Sequence, residues 1–257
     1  MLVDVHAHLY DKNLIDRIDE IILEAEKNKV EKIICVSDNP TSAEKVLDIS
    51  KKYKNIYACI GVHPSEAHLY NNSFASFLEK HGLDKKVVAI GEIGLDYHFQ
   101  PYDKESQIYV FLEQLKIAYS LKLPIQIHCR DAMKDMLTLL NDNKDLLKYG
   151  GILHCFSGTL NDLEEIKRLG LKISVGGVIT FKNAKTFQEL IKQIPIEQLM
   201  FETDCPYLTP HPFRGNINEP KYLALTAEKV ADLKEMNFSE VARFTTENSF
   251  KLFNKLK

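Results

Sequence analysis

A chain of 257 residues with 45% apolar side chains can bury one large core or two small ones. Its formal charge of −3 argues against a protein that grips nucleic acid through a basic surface, so a polyanionic ligand would need local positive charge such as metal ions. Asp4 interrupts the only N-terminal leader candidate and no apolar run is long enough to span a bilayer. With five cysteines and no C-x-x-C, the expectation is a reduced cytoplasmic protein with no membrane association and no stable protein partner.

Short apolar runs alternate with amphipathic stretches along the chain. The first run, 2–9, reads as a buried strand carrying His6 and His8 on one face. Two inward imidazoles need a partner, which a metal ion or hydrogen bonds to backbone supply. Helical spacing follows at Leu14, Ile18, Ile21, Ile22 and Ala25. Strands are predicted at 32–37, at 56–62 running into His63, and at 87–93 running on to Asp96. After a helical stretch around Val110–Ala118 come strand 124–129, helix 131–147, strand 151–156, helix 160–169, strand 172–178, helix 184–194 and strand 198–203. Gly176 and Gly177 leave space at the end of the seventh strand. Two closing helices are predicted at 219–233 and 239–253, the second opened by Ser239 as cap and Glu240 as first-turn acid.

Most of these strands are rich in Val and Ile and apolar on both faces, as buried parallel strands are. Eight strand–helix units in this length predict a single-domain (β/α)8 TIM barrel over residues 1–257. A doubly wound sheet would call for a Gly-rich phosphate loop after an early strand, and the sequence has none.

In such a barrel the site lies at the carboxyl ends of the strands. There the chain places His6 and His8, His63, Glu92, His128, His154 and Asp204; with the loop residue His211, six of the nine histidines fall at these ends. The set His6, His8, Glu92, His128, His154 and Asp204 exceeds what one tetrahedral ion needs. It predicts two divalent ions about 3.5–4 Å apart, bridged by Glu92. Mixed imidazole and carboxylate donors suit Zn, Mn or Co and are compatible with Mg. Asp4, Gln126 and Glu202 stand two residues below His6, His128 and Asp204, on the same faces if alternation holds, where hydrogen bonds would orient the ligands. For Gln126 an ordinary core hydrogen bond to backbone is the alternative. Cys129, Cys155 and Cys205 directly follow His128, His154 and Asp204, so alternation turns them away as small buried apolar residues.

The segments Val3–Leu9, Gly61-Val62-His63-Pro64, Gly91–Tyr97, Ile127–Arg130, His154–Gly158 and Glu202–Leu208 resemble the TatD family of metal-dependent deoxyribonucleases, in order, from residue 2 to about residue 253. Arg214-Gly215-Asn216-Ile217-Asn218-Glu219-Pro220 is similar to a further motif of that family. The resemblance implies a TIM barrel, one to three divalent ions, and cleavage of single-stranded or damaged DNA, often from the 3′ end. It implies one ion held by His6, His8, Glu92 and Asp204 and a second held by Glu92, His128 and His154. The family loop reads R-G-K-R-N-E-P; Asn216 and Ile217 replace its basic pair, which bears on DNA affinity and length preference and not on the chemistry. With attraction resting on the ions more than on a basic surface, weak, strongly salt-sensitive DNA binding that collapses with chelator is expected.

On this reading the ions turn water into hydroxide for attack on phosphorus. Asp204 orients or deprotonates that water, and His63 protonates the leaving oxygen or binds a phosphate. Arg130 and Arg214 are the candidate phosphate contacts, with a solvent-facing salt bridge as the alternative for Arg130. Tyr97, His98 and Phe99 follow the Glu92 strand and are candidates to stack on a terminal base, Tyr97 foremost, with packing over the barrel mouth as the alternative for Phe99. Two other readings stand beside this one. The same site would serve a hydrolase of another ester or amide, such as a lactone, a phosphoester or an aminoacyl-tRNA ester. A non-catalytic metal-binding interaction protein would not need a carboxylate placed for base chemistry.

Overall fold

The computed structural model describes residues 1–256. Its eight parallel strands, hydrogen-bonded in the order β1 to β8, form a nearly closed barrel. They are β1 (Leu2–Ala7), β2 (Val30–Val36), β3 (Ile56–Ile60), β4 (Val87–Asp96), β5 (Ile125–Arg130), β6 (Gly151–Leu153), β7 (Lys172–Val175) and β8 (Leu199–Phe201). Nine helices surround it among the described residues: α1 (Ile18–Lys27), α2 (Pro40–Lys52), α3 (Asn72–His81), α4 (Lys104–Leu121), α5 (Met133–Asp142), α6 (Leu160–Arg168), α7 (Lys185–Gln193), α8 (Leu223–Lys234) and α9 (Phe238–Leu252). None is long and apolar enough to cross a membrane.

Two apolar layers hold the strands in place. Outward-facing Leu2, Ile33, Cys35, Ile60, Ile90 and Ile127 pack against helix residues such as Ile21, Val46, Phe74 and Leu115. Below the site, Val3, Val5, Ile34, Val36, Cys59, Ile152 and Met200 fill the interior, which Phe253 and Leu256 join from the C-terminal segment. At the closure, Asp204 N–H donates to His6 O (2.9 Å) and His8 N–H to Cys205 O (2.8 Å), just beyond β8.

Several elements differ from the sequence expectation for visible reasons. Helices α2 and α3 were not foreseen. α2 buries Ser42, Ala43 and Ser50 among its apolar positions, and α3 buries only Phe74 and Leu78, so the apolar period is diluted in both. Their caps were readable: Asn39 accepts from Ser42 N–H ahead of Pro40, and Asn71 accepts from Phe74 N–H. α9 starts at Phe238, and its cap is Asn237 rather than Ser239, with Glu240 reaching back to complete a capping box. β6, β7 and β8 stop two to three residues short of their apolar runs, because the chain there turns into the site.

Two irregularities in the ladder matter most. Between Asp4↔Ile33 and Ala7↔Cys35, β1 spends one residue more than β2. Between Ile90↔Ile125 and Ile93↔Ile127, β4 spends one residue more than β5. Each is a bulge, which resets the alternation of faces. They fall at His6 and at Glu92.

Candidate metal centre

His6, near the end of β1, and His8, just past it, bring their Nε2 atoms to 3.3 Å. Glu92 Oε2 lies 3.4 Å from His6 Nε2 and 3.9 Å from His8 Nε2; Asp204 Oδ1 lies 3.7 and 3.3 Å from the same two atoms. A tetrahedron with metal–ligand bonds of about 2.1 Å has edges of ~3.4 Å, so these four donors fit one divalent ion. The far side of each ring is fixed. His6 Nδ1 meets Gln126 Oε1 at 2.8 Å while Gln126 Nε2 donates to Val5 O, which sets the amide orientation and makes His6 Nδ1 the donor. His8 Nδ1 donates to Val36 O at 3.0 Å. Both rings therefore present a bare Nε2 to the centre.

The other oxygen of Glu92 serves a second group. Oε1 lies 2.7 Å from His128 Nδ1, 2.7 Å from His154 Nε2 and 3.7 Å from His63 Nε2. His128 Nδ1 and His154 Nε2 are 3.1 Å apart. The 2.7 Å contacts are hydrogen-bond lengths, so this group must open by a few tenths of an ångström to share an ion. His154 Nδ1 is buried without a hydrogen-bond partner, 3.7 Å from Glu202 Oε1, and the His154 ring stacks on His6 at 4.0 Å. His6, His154 and Glu202 thus form a further set of converging donors.

Electrostatics make the same demand. Burial by itself would raise the Glu92 carboxyl, but His154, His63 and His6, with the His128 hydrogen bond, hold it well below the usual carboxylate range. Burial also opposes charge on His8, His128 and His154. The carboxylates outweigh it, Asp204 at His8, Asp96 and Glu92 at His128, and Glu92 with Glu202 at His154, so all three rings are raised. The carboxylates call for positive charge, the need a divalent cation meets.

Positions around the centre follow from the bulges and loops. The β1 bulge leaves Asp4 between inward-facing Val3 and Val5, so Asp4 does not share the face of His6 as strict alternation requires. Its Oδ1 accepts from the backbone N–H of His6 (3.3 Å) and Thr203 (3.0 Å), and Oδ2 from Thr203 Oγ1 (2.5 Å). It fastens the β1–β8 seam and touches no imidazole of the set. Glu202 accepts from Cys155 N–H and Ser174 Oγ, anchoring the turn that carries His154. Cys205 is buried, but Cys129 and Cys155 are half-buried and line the cavity; at Cys155 the chain has already left regular strand geometry (φ +45°), whereas Cys129 is still within β5.

His63 joins Glu92 and His128. Its Nδ1 accepts from Ser65 N–H, leaving the proton on Nε2, and burial pushes its pKa down to about 4. Arg130 stands exposed at the mouth, 5.2 Å over the ring of Phe99, itself 67% exposed. Tyr97 is turned away: it donates to Asp135 and stacks on Tyr102 at 4.5 Å, outside the cavity lining. Arg214 lies 3.6 Å over Phe181 at the rim. His211 is exposed and outside the donor set.

Two positioning residues escaped the sequence reading. Asp96 Oδ2 holds His128 Nε2 at 3.0 Å, directing Nδ1 inward. Past the β4 bulge, Glu92, Gly94 and Asp96 share a face, and that spacing was the available signal. Asn218 is fully buried; its Nδ2 donates to Thr203 O (2.8 Å) and Tyr207 O (2.6 Å), bracketing the loop in which Asp204 sits at φ +55°. Only its motif pointed to it.

The whole opens into a cavity of about 1080 Å³. Its wall near β1–β3 carries Tyr10, Asp11, Asp38, Ser65 and Glu66; its wall near β6–β8 carries Phe156, Phe181, Phe187 and Leu190, with Asn183 and Thr186 beside them.

A family model described as TatD related DNase matches residues 3–254. The chain is similar to the uncharacterized metal-dependent hydrolase YabD of Bacillus subtilis, 43% identical over 253 residues and covering 98% of this chain and 99% of that one. It is 30% identical to a protein of Erwinia tasmaniensis named 3′-5′ ssDNA/RNA exonuclease TatD, over 98% and 100% of the two chains. Among solved structures, the TatD homolog YJJV of Escherichia coli superposes with a TM-score of 0.93 at 30% identity, covering 98% of each chain.

Proposed function

The chain belongs to the TatD family of metal-dependent hydrolases, and we propose that it is a phosphodiesterase that removes nucleotides from the 3′ end of single-stranded or damaged DNA, using two divalent ions. The observation that carries this reading is the division of Glu92 between two donor groups, Oε2 toward His6 and His8 and Oε1 toward His128 and His154. The Erwinia relative's name supports the nucleic-acid substrate and the polarity.

Divalent ions at these donors supply Lewis acidity, acidifying water and offsetting phosphoryl charge. Around them the protein's own groups divide the remaining work. Asp204, beside His8 and open to the cavity, accepts the proton of the attacking water. Arg130 reaches the phosphoryl oxygens from the mouth. His63, neutral at physiological pH, donates its Nε2–H to a phosphoryl oxygen, so binding suits it better than proton transfer. Gln126 and Asp96 hold His6 and His128 in one tautomer.

One observation favours a second reading. Asp11, Asp38 and Glu66 line the cavity, where Arg130 is the sole Lys or Arg among the described residues. Such a wall suits a substrate of few negative charges, a short nucleotide or another ester. The test is to incubate the protein with 3′- and 5′-labelled single strands, a lactone and an aminoacyl ester across Mg, Mn and Zn, with Glu92→Ala and Asp204→Asn as controls. The nuclease reading requires stepwise loss of the 3′ label in the wild type and at least a hundredfold loss of rate in both variants. Cleavage of a neutral ester alone replaces it with the second reading.

A further inference from the structure

We propose that the apolar side of the cavity is a nucleobase slot, in which Phe181 and Phe187 take the flat faces of a base over a floor made by the buried Phe156 and Leu190, while Asn183 and Thr186 meet its polar edge. The inference rests on the nucleotide reading above and names the part of the substrate that reading leaves unplaced.

All six residues line the same cavity as the donor set and come from the loops after β6 and β7 and from α7. Phe156 lies two residues past His154, after β6. Phe181 follows the short turn Gly177–Thr180 after β7. Phe187 and Leu190 are three apart on α7, on one face of that helix. The loop carrying Phe156 is shaped for its ring: a Cβ on Gly158 would lie 2.8 Å from two ring carbons. Phe181 and Phe187 are only half-buried although they face a concavity. Concave apolar surface with a few polar groups at its edge is what a small-molecule site presents.

The polarity of the slot selects the occupant. An alkyl or acyl group would use the rings alone, whereas the exposed amide of Asn183 and hydroxyl of Thr186 beside them can pair with a polar edge. A base offers two apolar faces for the aromatic side chains and donors and acceptors along its edge. The rim is cationic: Arg214 over Phe181, and Arg130 over Phe99. Those guanidiniums suit the phosphates that flank a base, with the donor set of Glu92 on the other side. Every base has a π-face, so the slot discriminates base from no base more than one base from another.

The experiment compares dAMP with deoxyribose 5-phosphate, which keeps the sugar and phosphate and lacks the base, by calorimetric titration of the Mn-loaded protein. The wild type is expected to bind dAMP about tenfold or more tightly. In Phe187→Ala and in Phe187→Leu, which keeps apolar volume and guards against a folding defect, the ratio of the two affinities falls toward one. Equal affinities in the wild type, or an unchanged ratio in both folded variants, overturn the slot. If DNA is still cleaved in that case, the nucleotide reading survives without it; if neither ligand binds and DNA is not cleaved, both fall.

Discussion

At the scale of single residues, the site is a set of imidazoles whose tautomers are chosen by neighbours. Gln126 fixes His6, Val36 O fixes His8 and Asp96 fixes His128. Replacing such a partner typically costs ten- to a hundredfold in metal affinity. Gln126→Leu and Asp96→Asn should therefore weaken Mn binding by about that factor while circular dichroism stays unchanged; undiminished affinity in both would sink the assignment. The raised pKa values of His8, His128 and His154 give a signed prediction. In the folded protein these rings hold protons above their ordinary pKa of 6.5, so the stability they contribute is fully present below 6.5 and is lost as pH rises through the raised values. Metal binding needs neutral rings, so affinity should increase over the same rise and binding at neutral pH should release protons. Calorimetric titration in two buffers of different ionisation enthalpy measures this, and equal heats in both would contradict it.

At the scale of elements, two of the barrel's register shifts fall where it makes the site, at His6 and at Glu92. β4 passes so close to β5 that a Cβ on Gly94, at φ +155°, would lie 1.9 Å from His128 O. Gly94→Ala should displace the His128 strand, destabilise the fold by about 1–3 kcal/mol, and weaken metal binding, as read by chemical denaturation and titration. The loop after β8 is held by Asn218 through the carbonyls of Thr203 and Tyr207. Asn218→Ala leaves both buried carbonyls short of a donor, at about 1–3 kcal/mol. Because Asp204 lies between them, metal affinity should fall as well; loss of stability with full metal affinity would make Asn218 a structural residue only.

At the scale of the whole molecule, charge and metal are coupled. A chain of net −3, with acids on one cavity wall, has little standing attraction for a polyanion. DNA binding is expected to collapse on chelation and to weaken steeply with salt; affinity that survives a chelator would place the DNA elsewhere on the surface. Metal at a hundredfold over its Kd adds about 2.7 kcal/mol. For a domain of this size that corresponds to a rise in Tm of about 5–10 °C in a thermal melt.

The barrel and the six converging donors were legible in the sequence because both follow from periodicity. Apolar runs separated by amphipathic stretches specify strands and helices. Donors at the carboxyl ends of parallel strands meet whatever the intervening loops do. The same logic failed wherever alternation is interrupted. It placed Asp4 beside His6, where a bulge turns it to the seam with Thr203, and it turned Cys155 away, where the chain has already left β6. Tyr97 was aimed at the substrate, yet Tyr102 and Asp135 hold it aside. Asp96 ends β4 beyond a bulge that resets its alternation, and Asn218, Phe156 and Phe181 lie in loops with no period to read. The sequence by itself determined which residues assemble. Only the tertiary structure decided which of their neighbours orient them and what lines the cavity, because bulge register and loop closure are set by contacts between residues far apart in the chain.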